Sequence, residues 1–435
     1  MKTLSAVSGP GQLSVHRTPK NVSCRSAERC RVGCVNEFER VCRRSVLRGG
    51  VILAAGGSGY RLNSAAETSV ETEALTNDEE PVVRASPPPT YVSAPGRVIA
   101  IGDLHGDLQK TLNSLRIAGV MEQDKDGAPV WCGGDTTVVQ LGDVLDRGDC
   151  EIGIIMLLRD LGKQATKEGG AVYMINGNHE SLNICGNFRY VTRGAFYESA
   201  LAAGVDRSEA MVWESQLMSR VALFSPGGLV ANELAKNPTV LVVNDTVFAH
   251  GGLLPVHVEY GLEKINAEMA AWMRGEVNDD GSKATPPYIA MGGANSILWN
   301  RTLAQEKFKS AYDKYFACSL LKTSLGKLGK KRLVVGHTPQ INGCNCECGG
   351  QIWRVDVGMS QGVLNAGSQV LLIEKDGEGS TQVRPLGENV PPQRQDRRAS
   401  LINGSLAKMA AGHGKVFGFE WISKRIVINR NAVDG

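Results

Sequence analysis

No apolar run in this chain reaches the ~18 residues that a membrane-spanning helix needs. Stable membrane insertion is therefore not expected. Charge is sparse at 21% against 42% apolar residues, a balance that suits a packed globular core. Acid is nearly missing from residues 1–60, where three Asp or Glu face ten Lys or Arg, a balance of +7. The whole chain carries only +3, so the remainder is at about −4. Basicity is confined to one segment, and nucleic-acid binding is not implied. Paired cysteines are lacking too. Four of the eleven (Cys24, Cys30, Cys34, Cys42) fall in that basic segment, and the other seven show no paired spacing. Mostly reduced thiols are expected. There is no internal repeat.

What is present divides the 435 residues into four parts. Residues 1–65 are rich in Ser and Arg and resemble an organelle transit segment. Within it, Arg43-Arg44 precedes a short apolar stretch, Gly49–Gly57, a pattern similar to a twin-arginine signal. The expected location is the plastid: stroma, or thylakoid lumen if the twin arginine is read, and cytoplasm if the segment does not target. Residues 66–94 read as an acidic, Pro-rich linker. Residues 95–385 carry strands alternating with helices, the pattern of an α/β domain. Residues 386–435 form an extension, loose over 386–400, whose Val416–Ile422 stretch has the apolar character to pack back. Residues 188–235 look helical but poorly patterned. Asn244-Asp245, between two apolar runs, has the length of a two-residue hairpin turn.

Leu141-Gly-Asp-Val-Leu-Asp-Arg-Gly148 organises the rest. It continues from the buried-strand pattern of Thr137–Leu141. Its glycines turn the chain and hold Asp143, Asp146 and Arg147 at the strand's carboxyl end, where open α/β sheets place their sites. Four more clusters each follow or end an expected strand: Gly102-Asp-Leu-His-Gly106, Gly177-Asn-His-Glu180, His250-Gly-Gly252 and Gly336-His-Thr338. They offer carboxylate, imidazole and amide oxygen, donors suited to hard or borderline cations. Two such ions form a clamp on the attacking and leaving oxygens of phosphoryl transfer. One ion would take Asp103, His105 and Asp143; the other Asp143, Asn178, His250 and His337. Asp143 can serve both, since a carboxylate has two oxygens. Thiolates are absent from both sets, which argues against a structural zinc site.

These motifs, in this order, resemble the phosphoprotein phosphatase branch of the metallophosphoesterase superfamily. Asn187-Phe-Arg-Tyr-Val-Thr192, Trp299-Asn-Arg301 and Trp353-Arg-Val-Asp-Val-Gly-Met-Ser360 narrow the resemblance to the Shewanella-like phosphatases. The SAPNYC and LWSDP strings of the familiar eukaryotic enzymes are missing, so no regulatory subunit is implied. The resemblance implies an α/β fold of two mixed sheets in a β-sandwich flanked by helices. It implies two divalent ions, manganese foremost with iron or zinc as alternatives, and a phosphoprotein substrate. Asp143 would bridge the ions and Asn178 would bind one through its amide oxygen. A hydroxide held between them would attack phosphorus directly. His179 would be the general acid, oriented by Asp146, with Arg147 gripping phosphate oxygens and Arg301 a candidate second arginine.

Three other readings stay open. The same metal core serves dinucleoside-tetraphosphate or other small-phosphate hydrolases, or a phosphotyrosine-preferring phosphatase. A catalytically silent phospho-ligand scaffold is the non-enzyme reading. Cys344, Cys346 and Cys348, spaced by two, would be structural, a redox switch or a third metal site. Arg397-Arg-Ala-Ser400 resembles a basophilic kinase target.

Overall fold

The computed structural model describes residues 86–390 apart from 126 and 389. The transit-like segment with Arg43-Arg44, most of the linker, Arg397–Ser400 and Val416–Ile422 lie outside the described residues.

Two mixed sheets stack face to face. The first has the order β1-β7-β8-β9-β11-β10: Tyr91–Val92, Val240–Val243, Thr246–Ala249, Arg332–Val335, Ile352–Arg354 and Asn345–Glu347. The second has the order β13-β12-β2-β5-β6: Thr381–Gly387, Gln369–Lys375, Val98–Ile101, Thr137–Gln140 and Ala171–Met174. Strands β2, β5 and β6 run parallel, as do β8 and β9. A small hairpin pairs β3 (Met121–Gln123) with β4 (Pro129–Trp131).

Alternation along the central strands explains the layers. In β2, Val98 and Ala100 join the core between the sheets, while Ile99 and Ile101 join the core under the helices. In β7, Leu241 and Val243 face the first core and Val240 and Val242 the second. Strands buried on both faces must be apolar throughout, which is why these four-residue runs carry no polar side chain. Phe248 sits fully buried between the sheets.

Helices cover the second core: α1 (Leu108–Ile117), α2 (Ile152–Thr166), α3 (Asn178–Ile184), α4 (Arg193–Ala202), α5 (Trp213–Phe224), α6 (Leu229–Leu234), α7 (Pro255–Tyr260), α8 (Leu262–Arg274) and α9 (Ala311–Leu328). The expected hairpin is present. Val243 faces Thr246 across two residues, and Asn244 takes the positive φ of 54° that such a turn demands.

Two expectations need correction. The linker does not extend to residue 94, because Tyr91 and Val92 pair with Val242 and Val243. The second sheet continues past residue 385, since β13 pairs with β12 along its whole length to Gly387. Mostly reduced thiols are expected and Cys132, Cys185, Cys344 and Cys346 are free, but Cys318 on α9 is joined to Cys348. Thirty residues separate that pair, so sequence spacing gave no hint of it.

Candidate metal centre

The parallel strands bring their carboxyl ends to one edge of the sandwich. Asp103 and His105 follow β2, Asp143 and Asp146 follow β5, Asn178 and His179 open α3 after β6, His250 follows β8 and His337 follows β9. The chain must turn abruptly at each exit. His105, Asp143, Asp146, Arg147 and His337 all have positive φ, from 46° to 69°. They are five of the eight non-glycine residues in that conformation among the described residues. Such backbone costs of order 1 kcal/mol or more per residue and persists only where the surroundings enforce it. Gly177 shows the enforcement: a Cβ there would lie 2.3 Å from Asp143 Oδ1.

Glu180 locks two of these turns together. Its carboxylate accepts the backbone N–H groups of Gly177 (2.7 Å), Asp143 (2.8 Å), Val144 (2.9 Å) and Leu145 (3.2 Å). Burial, then the Asp143 charge, pushes its pKa up to about 6.

The imidazoles divide into two kinds. His105 donates Nδ1–H to the Leu145 carbonyl at 2.9 Å, and His250 donates Nδ1–H to the Leu141 carbonyl at 2.7 Å. His337 donates Nε2–H to the Trp299 carbonyl at 3.2 Å. Each ring is thereby fixed in orientation with its other nitrogen turned to the donor cluster, the usual support of a metal-binding histidine. Burial disfavours charge on His250, yet the Asp143 charge raises its pKa. His250 Nε2 lies 3.2 Å from Asp143 Oδ2 and 2.9 Å from Asn178 Oδ1. Burial lowers the pKa of His105 to about 4 and of His337 to about 3.

His179 differs. Its Nδ1 bonds to a carboxylate, Asp146 Oδ2, and its Nε2 lies 3.9 Å from Asp143 Oδ2. Burial opposes a charged ring, but Asp143 and Asp146 overcome it and the pKa is raised.

Two donor groups converge within 4.8 Å: Asp143, His250 and His337, and His105, Asp143 and His179. Asp143 belongs to both. Asp103 falls outside these triplets but adjoins them, accepting the His337 backbone N–H through both oxygens at 3.2 Å. Burial, then Asp356 and Asp143, raises its pKa well above the usual carboxylate range. Asp356 is raised to about 6, by burial and then Asp143. Burial also works against charge on Asp143, yet His250, His179 and His105 outweigh it and hold the carboxyl well below its usual range. Carboxylates and imidazoles packed in one buried cluster make a donor set that divalent cations fit. No cysteine belongs to either triplet, and among the described residues Cys344 and Cys346 join no metal-ligand group.

The arginines stand at the rim. Arg147 lies with its guanidinium 5.0 Å from the Tyr190 ring centre, and its buried Nε has no hydrogen-bond partner. Arg301 is exposed and donates to the His337 carbonyl (3.3 Å) and the Thr338 hydroxyl (3.1 Å), both neutral acceptors.

The sequence matches the family described as calcineurin-like phosphoesterase over residues 96–341. The chain belongs to that family, in its Shewanella-like phosphatase branch. Over 317 residues it is 38% identical to Shewanella-like protein phosphatase 2 of Arabidopsis thaliana, covering 66% of this chain and 77% of the relative. It is 30% identical to Shewanella-like protein phosphatase 1 of Plasmodium berghei, covering 61% and 67% respectively. Among solved structures it is similar to a cold-active protein-tyrosine phosphatase of a psychrophilic Shewanella species: 22% identity, 68% of this chain, 82% of that one, TM-score 0.48. The calcineurin-like chain is thus a metal-dependent phosphatase, a phosphoric monoester hydrolase.

Sequence reading gave no role to Glu180, though it stands in the Gly177–Glu180 cluster, nor to Asp356, which lies inside the quoted Trp353–Ser360 string.

Proposed function

We propose that this phosphatase acts on phosphoproteins, with phosphoserine and phosphothreonine foremost. The observation that carries the reading is the contrast among the histidines: three are tied to carbonyls and one, His179, to a carboxylate. Asp103, His105 and Asp143 would hold one divalent cation, and Asp143, Asn178, His250 and His337 a second, with manganese foremost. Bound cations supply Lewis acidity that activates water and neutralises charge at phosphorus.

The chain's own residues do the rest. Arg147, with its unpartnered Nε, offers a planar fork to the phosphoryl oxygens. Arg301, bonded to the His337 carbonyl and the Thr338 hydroxyl, offers a second positive group. His179 gives the proton on Nε2 to the departing alkoxide, and Asp146 keeps the ring charged and aimed until it does. Phosphotyrosine is the second reading. Tyr190, 37% exposed and with its ring centre 5.1 Å from that of His179, offers a stacking face to an aryl group.

A panel of phosphoserine, phosphothreonine and phosphotyrosine peptides with diadenosine tetraphosphate, assayed with manganese, tests the reading. Turnover of phosphoserine or phosphothreonine peptides above the rest is expected. Preference for the dinucleotide would overturn it. For the location, we infer plastid import from residues 1–65; a fluorescent fusion of that segment that stays in the cytosol would contradict this.

A further inference from the structure

Behind His179 lies a buried polar network that the proposed chemistry does not use directly. Its centre is Arg220 on α5, fully buried, with its guanidinium 4.2 Å from the Phe224 ring and also over Phe188 and Phe196. Two arms leave this one guanidinium. In the first, Nη1 donates to Glu151 Oε2 at 2.6 Å, and Glu151 Oε1 accepts the backbone N–H of Asp146 at 2.5 Å. In the second, Nε and Nη2 both donate to Asn183 Oδ1, at 3.2 and 2.6 Å. Asn183 Nδ2 then donates to Asp146 Oδ1 at 3.1 Å and to the His179 carbonyl at 2.9 Å. One arm holds the backbone of Asp146, the other its side chain.

The chemistry of each group gives the arrangement a direction. A guanidinium only donates, so the Asn183 amide must turn its oxygen to Arg220 and its NH2 to Asp146. With Oδ1 of Asp146 so occupied, Oδ2 is the oxygen left to face His179 Nδ1. Glu151 is held in turn: Glu198 on α4 accepts the N–H groups of Glu151, Ile152 and Gly153 at 2.8 to 3.0 Å. A buried ion pair contributes little net stability compared with an apolar pair of the same shape. What it adds here is orientation.

We propose that Asn183 and Arg220 are positioning residues for the His179–Asp146 pair. They fix the Asp146 carboxylate so that His179 presents its proton to the leaving group. The inference rests on the reading of His179 as general acid. It assigns a purpose to helices α4 and α5: they lie away from the metal ligands and supply the clamp from behind.

The test compares turnover of p-nitrophenyl phosphate, whose leaving group needs no proton, with that of a phosphoserine peptide, whose alkoxide does. Both are measured on the manganese-loaded full chain. Asn183→Ala is expected to lower kcat on the peptide ~10- to 100-fold, a fraction of what general acid catalysis supplies. Its kcat on p-nitrophenyl phosphate should stay within about threefold, with KM and metal content unchanged. Arg220→Lys keeps a positive charge beside Glu151 but loses the fork on Asn183, and should show the same selectivity in milder form. The ratio of the two rates does not depend on how much of a preparation is folded, so a destabilised variant still reports. Equal loss on both substrates, or no loss on either, overturns the clamp. His179→Ala separates the two claims. If it is selective and the Asn183 and Arg220 variants are not, only the clamp fails. If His179→Ala is itself unselective, the general-acid reading fails and the clamp falls with it.

Discussion

His250 presents Nε2 to Asp143 Oδ2 at 3.2 Å while its Nδ1–H is committed to the Leu141 carbonyl at 2.7 Å. Leu141 lies two residues before Asp143, so one turn supplies both the shared carboxylate and the support that aims the imidazole at it. His250→Ala should therefore lose metal and activity together. Altering a group that merely supports a ligand typically costs 10- to 100-fold, so loss of the ligand itself should cost ~100-fold or more in kcat. Metal content by elemental analysis and turnover on a phosphopeptide check this; full metal content in the variant would contradict it.

Ligand binding to the folded state alone raises stability by about 2.7 kcal/mol at a hundred times the dissociation constant. The strained turns at His105, Asp143, Asp146 and His337 converge on the donor set, so metal and fold should be coupled. Manganese should raise Tm by several degrees over chelator-treated protein. Asp143→Asn should respond far less. An equal response in both would show that the ion binds elsewhere.

His257 gives a pH prediction away from the metal donors. Its Nδ1 accepts the Leu254 N–H at 3.0 Å and its Nε2–H is donated to the Asn295 carbonyl at 2.7 Å. The fold thus requires a neutral ring, and burial lowers its pKa below 6.5. A base with a lowered folded pKa binds fewer protons folded than unfolded. Its stabilising contribution is present above the unfolded value and is lost as pH falls from about 6.5 toward the folded pKa. Urea midpoints at pH 7 and pH 5 should fall more steeply for the native chain than for His257→Asn. Parallel slopes would refute the assignment.

The Cys318–Cys348 bond ties α9 to the turn after β10. Closing a loop of this size contributes about 3.6 kcal/mol in the chain-entropy account. A reducing agent should lower Tm of the native chain and leave the Cys318→Ser, Cys348→Ser double variant unaffected. No shift in the native chain would contradict a bond that contributes to stability.

Much of this molecule was legible beforehand because its signals are local. Glycines, short carboxylate–imidazole clusters and apolar four-residue runs each report on a few neighbouring residues, so the strand ends and the converging residues Asp103 to His337 could be named. The hairpin at Asn244-Asp245 was readable for the same reason. What escaped depends on contacts distant in sequence. Tyr91 and Val92 pair with a strand about 150 residues away. Cys348 finds Cys318 on a helix. Arg220 sits in a segment without clear periodicity, because one face of α5 must accommodate a buried guanidinium rather than another leucine. Asp356 and Glu180 were within quoted motifs, yet their roles are set by which backbone groups and charges surround them, which a linear pattern does not record.

The most direct measurement is metal stoichiometry against activity in the native chain and in Asp143→Asn. Two divalent ions per native chain are predicted, with fewer than one retained and phosphopeptide turnover lost in the variant. A native chain fully active with a single ion, or an Asp143→Asn chain that keeps both ions and its turnover, would contradict a centre built around one shared carboxylate.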